Sequence, residues 1–327
     1  MENIARLNIR LHSYINLLSG AVFLLPIITI FYEHTGLNLF EIIVISNVMT
    51  FCLWIFELPT SVFADTMGRK KSMIYSVIAN FLSALMILIY PTIAGFAVAA
   101  IFRAFYFSFW SGTGQAFLDE NLHILNERDK FGKVIGKFMA YEQFTLLLTP
   151  VIAAVILKFM GDAGYKILAC LDVALATVLI VLVLQLKEIM KKPKFRTLKQ
   201  IFYKNVKTGK IALSNVFRNN RLRLLLIYRS LSHHMLFFTI ILLPTMSNKG
   251  MPDWISGGII TAAGVGALIS TKFAYKIGEK YSYNFAWVIS SVFQGALLII
   301  AALVLDSWVL LAGVFVMFSV FYGLWGP

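Results

Sequence analysis

Residues Ser61 to Lys70 read SVFADTMGRK and form the turn between two apolar stretches of the chain, 40–63 and 73–90. A helix rises about 1.5 Å per residue, and the hydrocarbon core of a bilayer is about 30 Å thick, so about 20 apolar residues suffice to cross it. A short basic turn between two stretches of about this length predicts a pair of membrane-spanning helices.

The composition of the whole chain agrees with a membrane location. Of its 327 residues, 59% are hydrophobic and 14% are charged, and the mean hydropathy is +0.79. Soluble domains carry about 25% charged residues, so a soluble fold is excluded. The same length criterion predicts ten spans, at 11–33, 40–63, 73–90, 93–118, 135–157, 164–186, 223–246, 254–275, 283–305 and 307–326.

The distribution of basic residues predicts how these spans are oriented. The formal net charge is +13, with 29 Lys and Arg residues. Only Lys158, Lys166 and Lys249 fall in loops on one side, and Arg103 and Arg229 fall within spans. Because basic loops remain in the cytoplasm, we expect a cytoplasmic N-terminus in a multi-pass protein of the cell membrane. This also explains the charge without a nucleic-acid partner.

The ten spans divide into a six-helix bundle over 1–186, a basic linker over 187–222 and a four-helix set over 223–327. Apolar residues recur at helical spacing in the linker. The linker is therefore predicted to lie as an amphipathic helix on the anionic inner leaflet. Docking of a partner is the alternative.

An internal repeat relates the two sets of spans. Residues 63–70 resemble 273–280 at an offset of 210, and Trp110 to Gly112 resemble Phe321 to Gly323 at nearly the same offset. The repeat predicts two parallel halves. It also predicts that the second half lacks the partners of spans five and six, as in a fragment or a truncated product.

The turn at 61–70 resembles the signature loop of the major facilitator superfamily, in which Ala-Asp and then Gly-Arg-Lys follow the second helix. Ser61 and Thr66 depart from the family pattern, which has Gly and a basic residue there. The resemblance implies an all-α fold of two six-helix bundles, here with the second bundle incomplete, and it implies a secondary transporter.

The same resemblance implies that the loop is a conformational latch. Gly68 allows a tight turn, and Arg69 can form a bidentate bond with a carboxylate. By the resemblance that carboxylate is Asp119, while Asp65 would meet an eleventh helix that this sequence does not contain. The alternative is that the basic residues only set the topology.

Charged side chains within spans are costly and are therefore candidates for a substrate or proton pathway. These are Arg103, Glu57, Glu142, Asp172, Arg229 and His233. An arginine in the fourth helix is frequent in exporters of the resembled family. Packing or gating ion pairs are the alternative role. His233 and His234 point about 100° apart on a helix, so no metal site is predicted.

The sequence as a whole predicts a monomeric permease that moves a small solute by alternating access, in the form of proton-coupled efflux. The alternative is a truncated remnant without transport, or a membrane scaffold. We find no phosphate loop, metal-ligand cluster or nucleophile motif, so neither an enzyme nor a bound cofactor is expected.

Overall fold

The apolar stretches fold as α-helices, because only helices satisfy the backbone hydrogen bonds of a single chain segment inside lipid. A computed structural model describes residues 1–189, 214, 217–220, 223, 242–281, 283–304 and 307–323. Within these ranges the regular structure is helical and contains no strand. The predicted all-α class is confirmed.

The first eight helices are numbered in chain order. They are α1 (Glu2–Ser19), α2 (Ile28–His34), α3 (Leu39–Met67), α4 (Arg69–Ile89), α5 (Ile93–Trp110), α6 (Thr113–Ile124), α7 (Phe131–Met160) and α8 (Ala163–Gln185). Single 3-10 turns at Leu25–Ile27 and Arg128–Lys130 precede α2 and α7.

The later helices are α9 (Asp253–Tyr281), α10 (Tyr283–Leu303) and α11 (Trp308–Gly323), and residues 242–248 are also helical. Six helical stretches of the described chain are long and apolar enough to cross a membrane. They are Leu39–Met67, Arg69–Ile89, Ile93–Ile124, Arg128–Met160, Ala163–Gln185 and Asp253–Ser270. The apolar helices Val292–Leu303 and Trp308–Val320 are shorter.

The first predicted span, 11–33, is not one continuous helix, which corrects the sequence prediction. Helix α1 ends at Ser19, and helical structure resumes at the 3-10 turn that contains Pro26. Proline lacks an N–H donor and clashes with a preceding helical turn, so it favours the start of a new segment. A Cβ atom on Gly20 would collide with the carbonyl oxygen of Glu142 and with Thr145 Oγ1.

The fourth predicted span is also interrupted, near its end. Helix α5 stops at Trp110, and Gly112 has a φ of +67° before α6 begins. Only glycine adopts this left-handed conformation at little steric cost. Gly112 therefore lies at the break that separates α5 from α6.

The chain folds into two compact units. The first unit comprises 1–22, 43–146 and 169–218, and the second comprises 23–42, 147–168 and 219–327. The boundaries predicted from sequence, 1–186, 187–222 and 223–327, remain a prediction about the chain's organisation. The predicted amphipathic helix of the linker lies outside the described residues.

Within the second unit, α9 packs closely against α7. A Cβ atom on Gly257 would collide with the Pro150 carbonyl oxygen and approach Ala154 Cβ, whereas a Cβ on the adjacent Gly258 would meet nothing within 4 Å. Small residues let two helix backbones approach each other in a membrane. Gly257 is therefore required by packing, and Gly258 is not.

This difference predicts opposite effects for two neighbouring substitutions. Gly257→Ala should destabilise the protein by roughly 1–3 kcal/mol through overpacking. Gly258→Ala should be neutral, or stabilising by up to about 1 kcal/mol, because alanine is the better helix former. The apparent melting temperature of each purified variant in detergent checks this. Equal shifts for the two variants would contradict the packing seen at Pro150.

Candidate functional site

The turn between α3 and α4 consists of a single residue, Gly68. Its φ of +102° is strained for any residue with a side chain. A Cβ atom there would lie 2.8 and 2.9 Å from the two carboxylate oxygens of Glu188. The glycine predicted to make the tight turn thus also leaves room for an acidic residue from beyond the end of α8.

Glu188 caps the first turn of α4. Its Oε1 accepts a hydrogen bond from the backbone N–H of Arg69 at 2.9 Å, and its Oε2 accepts one from that of Lys70 at 3.2 Å. The first N–H groups of a helix lack partners within the helix, and the N-terminal end of its dipole is positive. In return, Lys70 Nζ donates to the carbonyl oxygen of Leu184 at 3.0 Å, near the end of α8.

The side chain of Arg69 reaches two carboxylates, but Asp119 is not one of them. Arg69 Nη1 lies 3.2 Å from Asp65 Oδ1, and its Nε lies 3.5 Å from Glu120 Oε1. Asp119 instead pairs with Arg128 at 2.7 Å. Successive residues on a helix point about 100° apart, so only one of two adjacent acidic residues can face the arginine. The role of Asp119 as a latch residue remains a prediction.

A buried asparagine connects this region to α1. Asn8 Nδ2 donates to Asn121 Oδ1 and to the Lys187 carbonyl oxygen, both at 2.8 Å, and Asn8 Oδ1 accepts from the Lys187 N–H at 3.0 Å. Asn8 is fully buried. We call the group Asn8, Asp65, Gly68, Arg69, Glu120, Asn121 and Glu188 the loop cluster.

Sequence reasoning missed four members of the loop cluster: Asn8, Glu120, Asn121 and Glu188. For Glu188 a signal existed, since it is the one acidic residue in the basic stretch 187–222. The position of Glu120 depends on helix rotation, and the position of Asn8 depends on packing of α1. Neither is visible as a local pattern.

Arg103 lies half-buried in α5 and has polar and aromatic partners. Its Nη1 donates to Asn80 Oδ1 at 2.6 Å. Its guanidinium lies 5.4 Å from the ring centroid of Tyr106 and 5.3 Å from that of Phe107, within the range of cation–π attraction. Arg103 therefore has one amide and two aromatic rings as partners.

Each of the two helix breaks lies beside a predicted membrane carboxylate. The break after α1 brings Gly20 against the backbone of Glu142, which is half-buried. At the break after α5, Ser111 Oγ donates to Oε1 of the more exposed Glu57 at 3.2 Å. Irregular backbone next to an acidic side chain can bind a polar solute or a proton.

Of the other three predicted pathway residues, the structure describes only Asp172. Asp172 lies half-buried in α8. Arg229 and His233 fall outside the described residues. Within the described part of the chain, no three His, Cys, Asp or Glu side chains are grouped so that they could hold a metal ion.

A second polar cluster includes residues at the start of α8, whereas Glu188 lies beyond the end of that helix. Asn248 Nδ2 donates to Glu33 Oε1 at 3.0 Å. Asp253 accepts from the hydroxyl of Tyr165 at 2.8 Å and from that of Ser247 at 3.4 Å. These bonds join the end of α2, the start of α8 and the start of α9.

Aromatic packing surrounds these hydrogen bonds. The Tyr165 ring, which is only 2% exposed, lies 5.2 Å from that of Phe31 and 5.1 Å from that of His34. His34 Nε2 also lies 3.6 Å from Asp162 Oδ1. We call Phe31, Glu33, His34, Asp162, Tyr165, Ser247, Asn248 and Asp253 the far-end cluster. Its members are isolated residues at helix ends, and no sequence pattern indicates it.

Comparison with known proteins identifies relatives of the fold. The profile of the Major Facilitator Superfamily matches residues 13–327. No curated protein matches the chain in sequence. The crystal structure of the nucleoside transporter NupG superimposes with a TM-score of 0.73 and 11% identity over 99% of this chain and 79% of its own.

Two solved xylose transporters also share the fold. A D-xylose–proton symporter superimposes with a TM-score of 0.58 at 17% identity, covering 100% of this chain and 80% of its own. XylE from E. coli, in a partially occluded inward-open conformation, gives a TM-score of 0.55 at 16% identity, covering 99% and 82%. At these identities the likeness concerns the fold alone.

The pairing within the loop cluster predicts which acidic residue is coupled to Arg69. In double-mutant cycles of unfolding free energy, Arg69→Gln with Glu120→Gln should give a coupling of roughly 0.5 kcal/mol, the scale of a partly exposed ion pair. Arg69→Gln with Asp119→Asn, the matched control, should give a coupling near zero. A larger coupling energy for Arg69 with Asp119 than for Arg69 with Glu120 would favour the pairing implied by the family resemblance.

Proposed function

Since the chain belongs to the major facilitator superfamily, we propose that it is a secondary transporter that moves a small solute across a membrane by alternating access. The observation that supports this most directly is that each compact unit contains a polar cluster at helix ends, the loop cluster in the first unit and the far-end cluster in the second. A carrier must close its pathway at one end while the other is open. The two clusters are the candidates for these closures.

The loop cluster has the chemistry of a reversible closure. Besides the buried bond between Asn8 and Asn121, its bonds are ion pairs and helix caps made by partly exposed side chains, such as Arg69 with Glu120 and Glu188 with the start of α4. Individual contributions of this kind are small, about 0.2–1 kcal/mol each. They hold α3, α4, α6 and the end of α8 together and can still be broken during a transport cycle.

The far-end cluster joins the first set of spans to the later ones. Glu33 and Tyr165 belong to the first set, and their partners Asn248 and Asp253 belong to the second. We propose that these hydrogen bonds and stacked rings close this end of the second unit in the conformation described here. We propose that these bonds break when the far end opens.

For the solute pathway we propose the group around Arg103. Its guanidinium, the Asn80 amide and the Tyr106 ring provide donors, an acceptor and an aromatic face at mid-span depth. The relatives of known structure carry nucleosides or xylose, which are small polar solutes with rings. A solute of this size and polarity is our proposal for this chain as well.

We further propose coupling to protons, with Glu142 as the proton carrier and export as the direction. Glu142 is half-buried beside the break after α1, and no cation among the described residues lies within ion-pair distance of it. A carboxylate in such a place can gain and lose a proton at modest cost. We propose export as the direction because exporters of the resembled family often carry an arginine in the fourth helix, as this chain does at Arg103.

The proposed setting is the cell membrane, with a monomer whose N-terminus and loop cluster face the cytoplasm. The uneven placement of the 29 basic residues supports this orientation. In that orientation the basic linker 187–222 would contact the anionic inner leaflet.

Purified protein in proteoliposomes tests the transport function. Wild type should exchange at least one labelled solute from a panel of nucleosides and pentoses with saturable kinetics. Asp65→Asn removes the charge that pairs with Arg69, so its exchange should fall several-fold, since a loss of ~1 kcal/mol corresponds to about fivefold. Fluorescence-detected chromatography of both proteins controls for insertion and folding.

The same assay separates the proposal from its alternative. A folded wild-type protein that exchanges no solute of the panel under any gradient would favour a scaffold without transport. Unchanged exchange by Asp65→Asn would contradict the latch while leaving the transporter assignment intact.

Proton coupling is tested by a second substitution. Glu142→Gln should abolish flux driven by a pH gradient but retain solute exchange at equal pH, because the amide cannot release a proton. Asp129→Asn, which removes an exposed carboxylate outside both clusters, is the control and should keep gradient-driven flux. Gradient-driven accumulation by Glu142→Gln at the wild-type rate would refute this role of Glu142.

A further inference from the structure

An apolar groove of about 810 Å³ lies within the second unit, between α7, α9 and α11. Val151 and Val155 of α7, Ala262 of α9 and Met317 of α11 are among its lining residues. The one ionisable side chain of the described lining is Lys158. None of these residues takes part in the loop cluster or the far-end cluster.

The groove continues onto apolar side chains that are exposed in the described part of the chain. Val151, Val155 and Met317 are 42%, 50% and 54% exposed, and Phe159, adjacent to Lys158 in sequence, is 75% exposed. A pathway for a polar solute needs side chains that replace the water around that solute. The described lining offers almost none, so the groove is suited to lipid and not to transport.

Lys158 marks one end of the groove. It lies two residues before the end of α7, and its Nζ lies 4.9 Å from the ring centroid of Trp254 at the start of α9. Tryptophan concentrates at the depth of the lipid headgroups, and lysine extends its ammonium group to the same depth. The groove therefore has an apolar body and a cation at headgroup depth.

We propose that this groove is a binding site for an anionic phospholipid of the leaflet at the far end. Its acyl chain would lie along α7, α9 and α11, and its phosphate would meet Lys158. An apolar chain with an acidic head matches both parts of the groove. A free fatty acid has similar chemistry, but a bilayer lipid is present at far higher concentration and reaches an exposed groove from the side.

One lysine should give a measurable preference for the anionic lipid. A basic residue near an anionic membrane surface contributes about 1 kcal/mol, which corresponds to roughly fivefold in relative affinity. Both phosphatidylglycerol and phosphatidylcholine carry a phosphate. Only phosphatidylglycerol keeps a net negative charge, so the preference reports the ammonium group.

Quenching of Trp254 by brominated acyl chains measures this preference. The protein is reconstituted in phosphatidylcholine vesicles with increasing fractions of brominated phosphatidylglycerol or brominated phosphatidylcholine. Subtracting the signal of Trp254→Phe isolates Trp254 from the other five tryptophans of the chain. We expect half-maximal quenching at about a fivefold lower fraction of the brominated phosphatidylglycerol.

Two variants decide the role of Lys158. Lys158→Gln should remove the preference, whereas Lys166→Gln, which changes an exposed lysine outside the groove, should retain it. Equal quenching by the two lipids in wild type, or a preference that survives Lys158→Gln, would overturn the site. Displacement of brominated phosphatidylglycerol by equimolar oleate would identify a free amphiphile as the occupant and also overturn it. Since quenching needs no solute flux, these outcomes are independent of transport.

Discussion

Inside a bilayer, each backbone N–H or C=O group without a hydrogen-bond partner costs several kcal/mol, and this cost governs where the chain can leave helical geometry. Among the described residues, the chain leaves helical geometry at two places within predicted spans, after Ser19 and after Trp110. Each break has a polar neighbour from another helix, Thr145 at the first and Glu57 at the second. Thr145 Oγ1 donates to the Leu17 carbonyl oxygen at 2.7 Å, which satisfies one of the acceptors freed at the end of α1.

This constraint also explains how much of the fold could be predicted from sequence. Helix class and most boundaries follow from apolar length alone, which is why α3, α4, α7 and α8 lie where hydropathy placed them. The breaks carry weaker signals. Pro26 and Gly112 are visible in the sequence, but many membrane helices contain such residues without a break, since neighbouring helices can replace the lost bonds.

The site was less predictable than the fold, for reasons of helix rotation and distance along the chain. The signature loop pointed to Asp65, Gly68 and Arg69, and these residues do lie together. Whether Arg69 meets Asp119 or Glu120 depends on a rotation of about 100°, which no sequence pattern specifies. Contacts such as Asn248 with Glu33 join residues more than 200 positions apart, and only the packed helices bring them together.

The small strength of each bond at the signature loop is suited to alternation between two states. Glu188 makes two caps and Arg69 makes two ion pairs, each contributing about 0.2–1 kcal/mol. Four such bonds would bias a two-state equilibrium by roughly 1–4 kcal/mol, within or just above the range of typical coupling energies. A single deeply buried ion pair could hold one state so firmly that a solute could not shift it. Partial exposure of Asp65, Arg69 and Glu120 keeps the closure within the reach of substrate binding.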